Sequence, residues 1–218
     1  MNDLYPFINK KVEIEISGNN LYIGTLIDVG TDLLVLFSEN RFYYIPVVHV
    51  QNLKFAPSIN EVDNPPEIPT DYQTENLSFR KILQNAKGSF VEIYITGNKS
   101  IHGYLTSIMN DYFVFYSPVY KAMFVSMNHL KWLIPYSNDV TPYSLNNHTL
   151  PIINLTLSRT FAEQCKKLEG SLVVFDLGDK PNKIGLLQKG SGQMMELILA
   201  DGNKQCWNIH HLKTVYKA

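Results

Sequence analysis

An internal repeat constrains this fold more than any other feature of the sequence, because a repeated segment folds as a repeated structural unit. The segment VEIEISGNNLYIGTL, which begins at Val12, aligns without gaps with VEIYITGNKSIHGYL, which begins at Val91. The same offset continues to Asp32 and Asp111. So many identities in a single register indicate two copies of one module.

A third copy is more diverged but keeps the same landmarks. Val173, Phe175 and Leu177 take the alternating apolar positions of the first strand. Each copy then has a Gly-x-Leu signature and ends on a short run with histidine before an aliphatic residue. The signatures are Gly24 and Leu26, Gly103 and Leu105, and Gly185 and Leu187, and the histidines are His49, His129 and His211.

The pattern within a copy predicts five short strands. Val12, Ile14 and Ile16 alternate with polar residues, which is typical of a strand with one buried face. Gly18 and Asn19, like Gly97 and Asn98 in the second copy, tolerate a positive φ and predict a hairpin turn. A glycine inside the second strand allows a sharp bend or a close approach of two backbones, as a small barrel requires.

Helices are predicted ahead of the second and third copies. Ser78 is the expected N-cap of a helix that stops at Gly88. Thr160 and Glu163 have the spacing of a capping box, and Gly170 ends that helix. The corresponding first segment, residues 3–10, contains a proline, so its helix is expected to be short or absent.

The repeat and the composition between copies divide the chain into three modules and two linkers. The first linker is acidic and proline-rich with no Lys or Arg, which is typical of an extended tether. The predicted division is repeat 1 at 1–56, linker at 57–77, repeat 2 at 78–136, linker at 137–156 and repeat 3 at 157–218.

Composition and charge narrow the classes of protein. A content of 45% hydrophobic and 18% charged residues is that of a folded chain. The net charge of −1 provides no general attraction to nucleic acid or anionic membranes, although the second and third modules carry a basic excess. The two cysteines, Cys165 and Cys206, predict no disulfide framework. Without a signal sequence or a long apolar run, we expect a soluble, cytoplasmic protein with no membrane contact.

This module resembles the Sm-like fold, the family of the Sm, Lsm and Hfq proteins. The resemblance implies a mainly β protein of three tandem Sm-like (SH3-type) five-stranded barrels, the second and third each preceded by an α-helix. The ending IPVVHV together with Gly-x-Leu is most similar to a small Sm-like family of spore-forming bacteria. Some members of that family are associated with the spore coat or sporulation, which implies a role of that kind here.

The residues by which Sm proteins bind RNA are missing from all three copies. The first RNA-contacting loop of that family has Asp and Asn six and ten residues after the signature glycine. Its second loop carries an Arg-Gly element. The first-loop positions here hold Gly30 and Leu34, Met109 and Phe113, and Ser191 and Met195, and the second-loop positions hold Ile45-Pro46, Val125-Ser126 and Trp207-Asn208. RNA binding is therefore not implied by the fold.

Two sets of residues are candidates for binding. His49, His129 and His211 recur before the last strand and could serve as a metal-binding or pH-sensing set, but a hydrogen bond from each imidazole to backbone in the turn is the favoured interpretation. Asp32 and Asp111 are interpreted as turn residues. No nucleophile elbow, phosphate loop, zinc pattern or triad is present, so neither catalysis nor a cofactor is predicted.

Exposed aromatic residues form the second set. The runs FYY and YFVFY place aromatic side chains on both faces of strands, and a barrel has only one interior. Packing against another module or a protein partner is favoured over stacking on single-stranded nucleic acid, because little basic charge accompanies these residues. The candidates are Tyr43, Tyr44, Tyr116 and Tyr120.

The sequence therefore predicts a non-catalytic structural or interaction protein. The expected partner is another protein or a second copy, bound through barrel edge strands, and a dimer forming a pseudo-hexameric ring is one such assembly. Binding of RNA or single-stranded nucleic acid is the first alternative. A ligand- or metal-sensing regulator that uses the histidines is the second.

Overall fold

The fold is a mainly β arrangement in a computed structural model that describes residues 2–57, 77–96, 99–137, 142–144 and 155–218. A 3-10 helix, Asn2–Phe7, precedes the first five strands. These are β1 (Lys11–Ile16), β2 (Asn20–Val29), β3 (Leu33–Ser38), β4 (Arg41–Pro46) and, after a 3-10 turn, β5 (Val50–Phe55).

The same element order occurs twice more. Helix α1 (Phe79–Asn85) precedes β6 (Phe90–Thr96), β7 (Lys99–Ile108), β8 (Tyr112–Ser117), β9 (Lys121–Ser126) and β10 (Trp132–Pro135). Helix α2 (Phe161–Lys166) precedes β11 (Leu172–Phe175), β12 (Ile184–Ser191), β13 (Met194–Ile198), β14 (Lys204–Asn208) and β15 (Thr214–Lys217). We call β1–β5, β6–β10 and β11–β15, each with its preceding helix, the first, second and third modules.

The fifteen strands of the described residues belong to one antiparallel sheet. Its order is β14-β13-β12-β11-β15-β9-β8-β7-β6-β10-β4-β3-β2-β1-β5. Within each module the order is thus fifth, first, second, third and fourth strand. The fourth strand of the first module pairs with the fifth strand of the second, and the fourth strand of the second pairs with the fifth of the third.

The expectation of three barrels is met only in part. The structure is mainly β with two α-helices, as predicted, but its antiparallel sheet is not closed. In each module the fourth strand does not pair with the fifth strand of the same module. The hydrogen-bonding groups that would close a module join it to the next one instead.

Local capping explains where the helices begin and end. The Ser78 side chain accepts a hydrogen bond from the Lys81 amide, and Thr160 does the same for the Glu163 amide. Gly88 and Gly170 then reverse the chain with φ of 84° and 77°.

One predicted strand position is wrong. Leu177 was expected to continue the alternation of the third module's first strand, but β11 ends at Phe175. Leu177 has a φ of 62° and lies in a 3-10 turn, so it cannot continue a strand.

Three apolar cores lie along the sheet, and neighbouring modules share them. The core around Val12, Ile14 and Ile16 includes Trp132 and Ile134 of the second module. In the same way, the core of the second module, the second core, contains Leu33, Val35 and Tyr44 of the first module. The core of the third module, the third core, contains Tyr112, Val114 and Phe124 of the second module. Sharing explains why β3 and β8 are apolar on both faces: one face packs in its own module and the other in the next.

Several sequence predictions fall outside the described residues. The linker 57–77 is described only at its two ends, most of the linker 137–156 is likewise not described, and the Gly97-Asn98 turn is not described at all. The domain boundaries drawn above therefore remain a prediction.

Candidate interaction site at the module junctions

The first junction joins β4 to β10. Tyr44 lies opposite Leu133 in the antiparallel register, and both side chains are fully buried in the second core. Leu133 also pairs with Ile93 of β6, so β10 is an interior strand of the sheet. A tyrosine from one module thus fills the core of the next.

An aromatic cluster packs beside this strand pair. The Trp132 ring stacks on Tyr94 at 5.4 Å between centroids and meets Tyr43 edge-on at 5.4 Å. Its indole N–H donates to the Tyr22 hydroxyl at 2.7 Å. Tyr22 and Tyr43 belong to the first module, whereas Tyr94 and Trp132 belong to the second. Contacts of this kind contribute beyond the area they bury.

Polar contacts complete the first junction. Arg41 Nη1 lies 2.6 Å from Glu92 Oε2, and the Glu92 side chain is only 9% exposed. Glu92 also accepts a hydrogen bond from the Ser100 hydroxyl. On the other side, the Lys131 ammonium donates to the Ser17 carbonyl oxygen. The Arg41–Glu92 pair thus connects β4 of the first module with β6 of the second, and Glu92 is its buried partner.

Each helix is attached to the preceding module by an aspartate. Asp32 Oδ1 accepts a hydrogen bond from the Phe79 amide at 2.7 Å, and Asp111 Oδ1 accepts one from the Phe161 amide at 2.8 Å. These amides are free donors in the first turn of each helix, where a carboxylate is favourable. The aspartates interpreted as turn residues therefore also contact the next module.

The third module lacks this aspartate. The Asp32, Asp111 and Gln193 carbonyls accept equivalent hydrogen bonds, from the Val47, Met127 and Ile209 amides. Gln193 is therefore the third member of the set. No described module follows it along the chain, and no carboxylate is present at this position.

The second junction joins β9 to β15. Val125 and Phe124 lie opposite Thr214 and Val215, and the Ser126 amide donates to the Lys213 carbonyl at 2.9 Å. Phe124 is 4% exposed and belongs to the third core.

Of the four aromatic candidates, all but one contact a module other than their own. Tyr43 and Tyr44 are buried at the first junction, and the Tyr120 ring lies 6.3 Å from that of Tyr216 in the third module. Tyr116 is half-buried and pairs with Tyr104 and Ala122 within its own module.

The recurring histidines also lie at these junctions. His129 Nε2 is 2.8 Å from the carbonyl oxygen of His210 in the third module, to which it donates. His49 is buried, and its Nδ1 lies 3.2 Å from the Ser17 hydroxyl. Its Nε2 makes no full hydrogen bond, although the backbone of Asn128 in the second module is close enough to affect its protonation. His211 is exposed in the turn before β15 and lies close enough to His129 to contribute to the lowering of the His129 pKa.

Burial and neighbouring cations favour neutral imidazoles at both junctions. Burial, together with the nearby Lys131 ammonium and the His129 imidazole, lowers the pKa of His49 to about 4. Burial also lowers the pKa of His129, which the hydrogen bond to the His210 carbonyl opposes. The geometry brings His49 and His129 into electrostatic contact.

The signature glycines lie where two strands approach too closely for a side chain. A Cβ at Gly24, Gly103 or Gly185 would lie 2.3, 2.2 or 2.5 Å from the carbonyl oxygen of Phe37, Tyr116 or Ile198. The accompanying Leu26, Leu105 and Leu187 are fully buried, one in each core. The signature thus builds the module and does not form a surface site.

Other potential sites are few in the part of the chain that the structure describes. No group of three or more His, Cys, Asp or Glu residues there is arranged to hold a metal ion. Both cysteines are free, with Cys165 buried and Cys206 exposed. A shallow hollow lies between β2, β3 and β4, beside Tyr22 and Glu39. Among the described helices, none is long and apolar enough to cross a membrane.

Sequence reasoning missed the residues that hold the junctions together. Trp132, Arg41 and Glu92 carry no motif, and their roles depend on contacts between modules. One signal was available: β3 and β8 are apolar at nearly every position, which indicates strands buried on both faces. This pattern predicts a second packing partner without identifying it.

Comparison with known proteins gives two matches. Residues 160–215 match the family model of the YwrJ third domain. The whole chain is 44% identical over 223 residues to the uncharacterised protein YwrJ of Bacillus subtilis (strain 168), with 99% of each chain covered. Bacillus is a spore-former, which agrees with the predicted spore-former family.

Proposed function

The chain belongs to the YwrJ family, and we propose that it is a non-catalytic interaction protein whose three Sm-like modules form one rigid scaffold. The observation that supports this proposal best is the joining of modules through paired strands and shared cores. Modules connected only by linkers would move independently. A continuous sheet instead holds three similar surfaces in a constant order.

The Sm-like assignment rests on topology and on the repeat. Each module has the strand order fifth, first, second, third, fourth, with a 3-10 turn before the fifth strand. A glycine in the second strand allows close packing on the third. An experimental structure that shows each module as a strongly bent sheet around its own core would support the assignment, and a flat sheet would contradict it.

The scaffold leaves two strands with an unpaired side. Among the described strands, β5 pairs with β1 alone and β14 pairs with β13 alone. Such edges accept a further strand, from a protein partner or from another copy of the chain. The predicted dimer with a pseudo-hexameric ring remains one version of this proposal.

Replacing edge-strand residues whose backbone groups point away from the sheet tests the proposal. The Ala56 amide donates to the Lys11 carbonyl, and the Leu199 amide donates to the Asn203 carbonyl. Along an edge strand, alternate residues direct their backbone groups towards the neighbouring strand and away from it. In this alternation Leu53 and Cys206 direct their backbone groups away from the sheet. The variants Leu53→Pro and Cys206→Pro remove those donors. Gln51→Ala, at an exposed β5 position, is the matched control.

The readouts are light scattering and retention of proteins from extracts of the source cells. We expect the native chain and Gln51→Ala to associate with their own copies or with the same proteins, and at least one proline variant to lose this association. Circular dichroism verifies that each variant is folded. An unassociated 25.0 kDa chain that retains nothing in an edge-dependent way would contradict the scaffold proposal.

A role in sporulation and a cytoplasmic location are further parts of the proposal. The relative in a spore-former supports the first part, and the cytoplasmic location is carried over from the sequence analysis. Deleting the gene and counting heat-resistant spores tests the first, and cell fractionation tests the second. Unchanged spore counts would contradict a role in sporulation.

The two alternative functions have less support. Tyr43 and Tyr44 are buried, so they do not offer rings on which bases could stack. A titration with uridine-rich and mixed oligonucleotides at two salt concentrations tests nucleic-acid binding. A metal-sensing role requires converging ligands, and among the described residues no group of three or more His, Cys, Asp or Glu could hold a metal ion.

A further inference from the structure

The two unpaired edges of the sheet are the two halves of a junction that the chain already forms twice. An internal junction consists of a fourth strand and a fifth strand from different modules. In the part of the chain that the structure describes, the fifth strand of the first module, β5, has one unpaired side, and so does the fourth strand of the third module, β14. One chain therefore ends in two complementary halves.

We propose that β14 of one copy pairs with β5 of a second copy, in the register of the internal junctions. This inference rests on the proposed function and names the partner as the chain itself. The internal pairs are Tyr44 with Leu133, and Phe124 with Val215. Within the modules, the equivalent third-strand residues Val35, Val114 and Glu196 lie opposite Tyr44, Phe124 and Cys206 of the fourth strand. Cys206 therefore occupies in the third module the position of Tyr44 and Phe124. Leu53 is the counterpart of Leu133 and Val215, so Cys206 of one copy faces Leu53 of the other.

Apolar exposure at the two ends supports this pairing. At the β5 end, Leu53 is only half-buried, whereas its counterparts Leu133 and Val215 are fully buried at the internal junctions. At the β14 end, Met194 is 41% exposed and Cys206 is also exposed. Met194 is the counterpart of Tyr112, which is fully buried in the core of the following module. Side chains that the internal junctions bury are thus left open at both ends.

The histidine contact has a counterpart as well. His129 donates to the carbonyl of His210, the residue before the next recurring histidine. The recurring histidine of the third module, His211, is exposed, and the residue before His49 is the exposed Val48. In the proposed pairing, the His211 imidazole of one copy donates to the Val48 carbonyl of the other.

The pairing between copies is weaker than the internal ones. Glu196 takes the position of Val35 and Val114, which are buried in the next core, and it forms an ion pair with Lys204 at 2.9 Å. The third module also lacks the aspartate that attaches a following helix, because Gln193 replaces it. We therefore expect association that depends on concentration and leaves a free chain in dilute solution.

Directed disulfide formation tests the register. In the full chain, Leu53→Cys places a second thiol opposite the native Cys206, and directly opposite positions of an antiparallel pair lie within the Cα separation of a disulfide. Buried Cys165 does not compete. Under mild oxidation we expect disulfide-linked dimers or larger species. Mass spectrometry should identify the peptide around position 53 joined to the peptide around Cys206.

Two controls make the result specific. Asn52→Cys moves the thiol to the opposite face of β5, so its cross-linking should be much slower. The double variant Leu53→Cys with Cys206→Ser should give no link between positions 53 and 206. In the native chain, alkylation of Cys206 should slow as protein concentration rises, because the pairing covers that thiol.

Two outcomes would overturn the inference. One is equal cross-linking of Leu53→Cys and Asn52→Cys. The other is a dominant link between two Cys206 residues, which indicates β14 paired with β14. If either occurs while other proteins are still retained through the edges, the scaffold proposal stands and only the choice of partner fails.

Discussion

At the scale of single residues, the recurring histidine is a junction residue. His49 and His129 occupy the same position in consecutive modules, and each lies against the turn of the module that follows. Both are held neutral mainly by burial. A protonated imidazole at this position would place an unfavourable charge between two modules.

His49 should make stability depend on pH. Burial lowers its folded-state pKa to about 4, below the ordinary value of 6.5. As pH falls, the unfolded chain therefore protonates His49 at a higher pH than the folded chain does. The stabilisation is complete above about pH 6.5 and is lost progressively as pH falls towards 4. We expect the free energy of unfolding, measured with urea, to fall by roughly 1–2 kcal/mol between pH 7 and pH 5.

The variants His49→Gln and His211→Gln separate this effect from other titrations. His49→Gln should be less stable at pH 7 but should lose less stability between pH 7 and pH 5. His211→Gln replaces an exposed imidazole and should retain the native pH dependence. If all three proteins show the same slope, His49 is not the group responsible.

The signature glycine should be intolerant of any side chain. In Gly103→Ala the new methyl group would lie 2.2 Å from the Tyr116 carbonyl oxygen, which is backbone and cannot rotate away. We expect a loss of about 3 kcal/mol in the free energy of unfolding, the upper part of the range for overpacked sites. Ser107→Ala in the same strand is the control and should change stability by less than about 1 kcal/mol. Equal effects would contradict the steric explanation.

At the scale of elements, the helices depend on the module before them. Asp32 and Asp111 each accept a hydrogen bond from the first amide of the following helix. Ser78 and Thr160 cap the same helices from within the module. A helix of six or seven residues is marginal by itself, so both sources of capping and the shared core are needed to maintain it.

Removing the aspartates should show a difference between modules. We expect Asp32→Ala and Asp111→Ala each to lower the free energy of unfolding by about 1 kcal/mol, as for other lost helix caps. Gln193→Ala, at the equivalent position with no following described helix, should change it by less than about 0.5 kcal/mol. Urea unfolding followed by circular dichroism measures all three. A similar loss in Gln193→Ala would show that the aspartates act only within their own turns.

At the scale of the whole molecule, the modules form a single cooperative structure. Each core contains side chains from its neighbour, and the fourth and fifth strands of different modules are paired. Loss of one module would therefore expose core residues of the next. This coupling distinguishes the chain from three independent domains connected by linkers.

Two tryptophans report on this coupling from different places. Trp132 lies at the first junction, and Trp207 lies in the third module. In Trp207→Phe only Trp132 fluoresces, and in Trp132→Phe only Trp207 does. Within each variant we expect the fluorescence midpoint in urea to coincide with the circular dichroism midpoint. Separate midpoints would show that the modules unfold independently.

Local features of the fold could be predicted from sequence because their causes are local. The alternation of Val12, Ile14 and Ile16 with polar residues predicted β1, and Ser78 and Thr160 predicted the starts of two helices. These features depend on side-chain periodicity and on hydrogen bonds between residues three apart. By contrast, the extension of the third module's first strand to Leu177 failed, because the positive φ of that residue ends the strand.

The pairing between modules was decided only by tertiary structure. A β ladder is formed by backbone amides and carbonyls that nearly every residue carries, so no side-chain pattern shows that β4 pairs with β10 and not with β5. The repeat by itself determined that there are three similar modules with apolar strands and closely packed glycines. Which module supplies the missing strand, and thus the placement of His49, Tyr44 and Asp32 at junctions, depends on contacts between residues far apart in the chain.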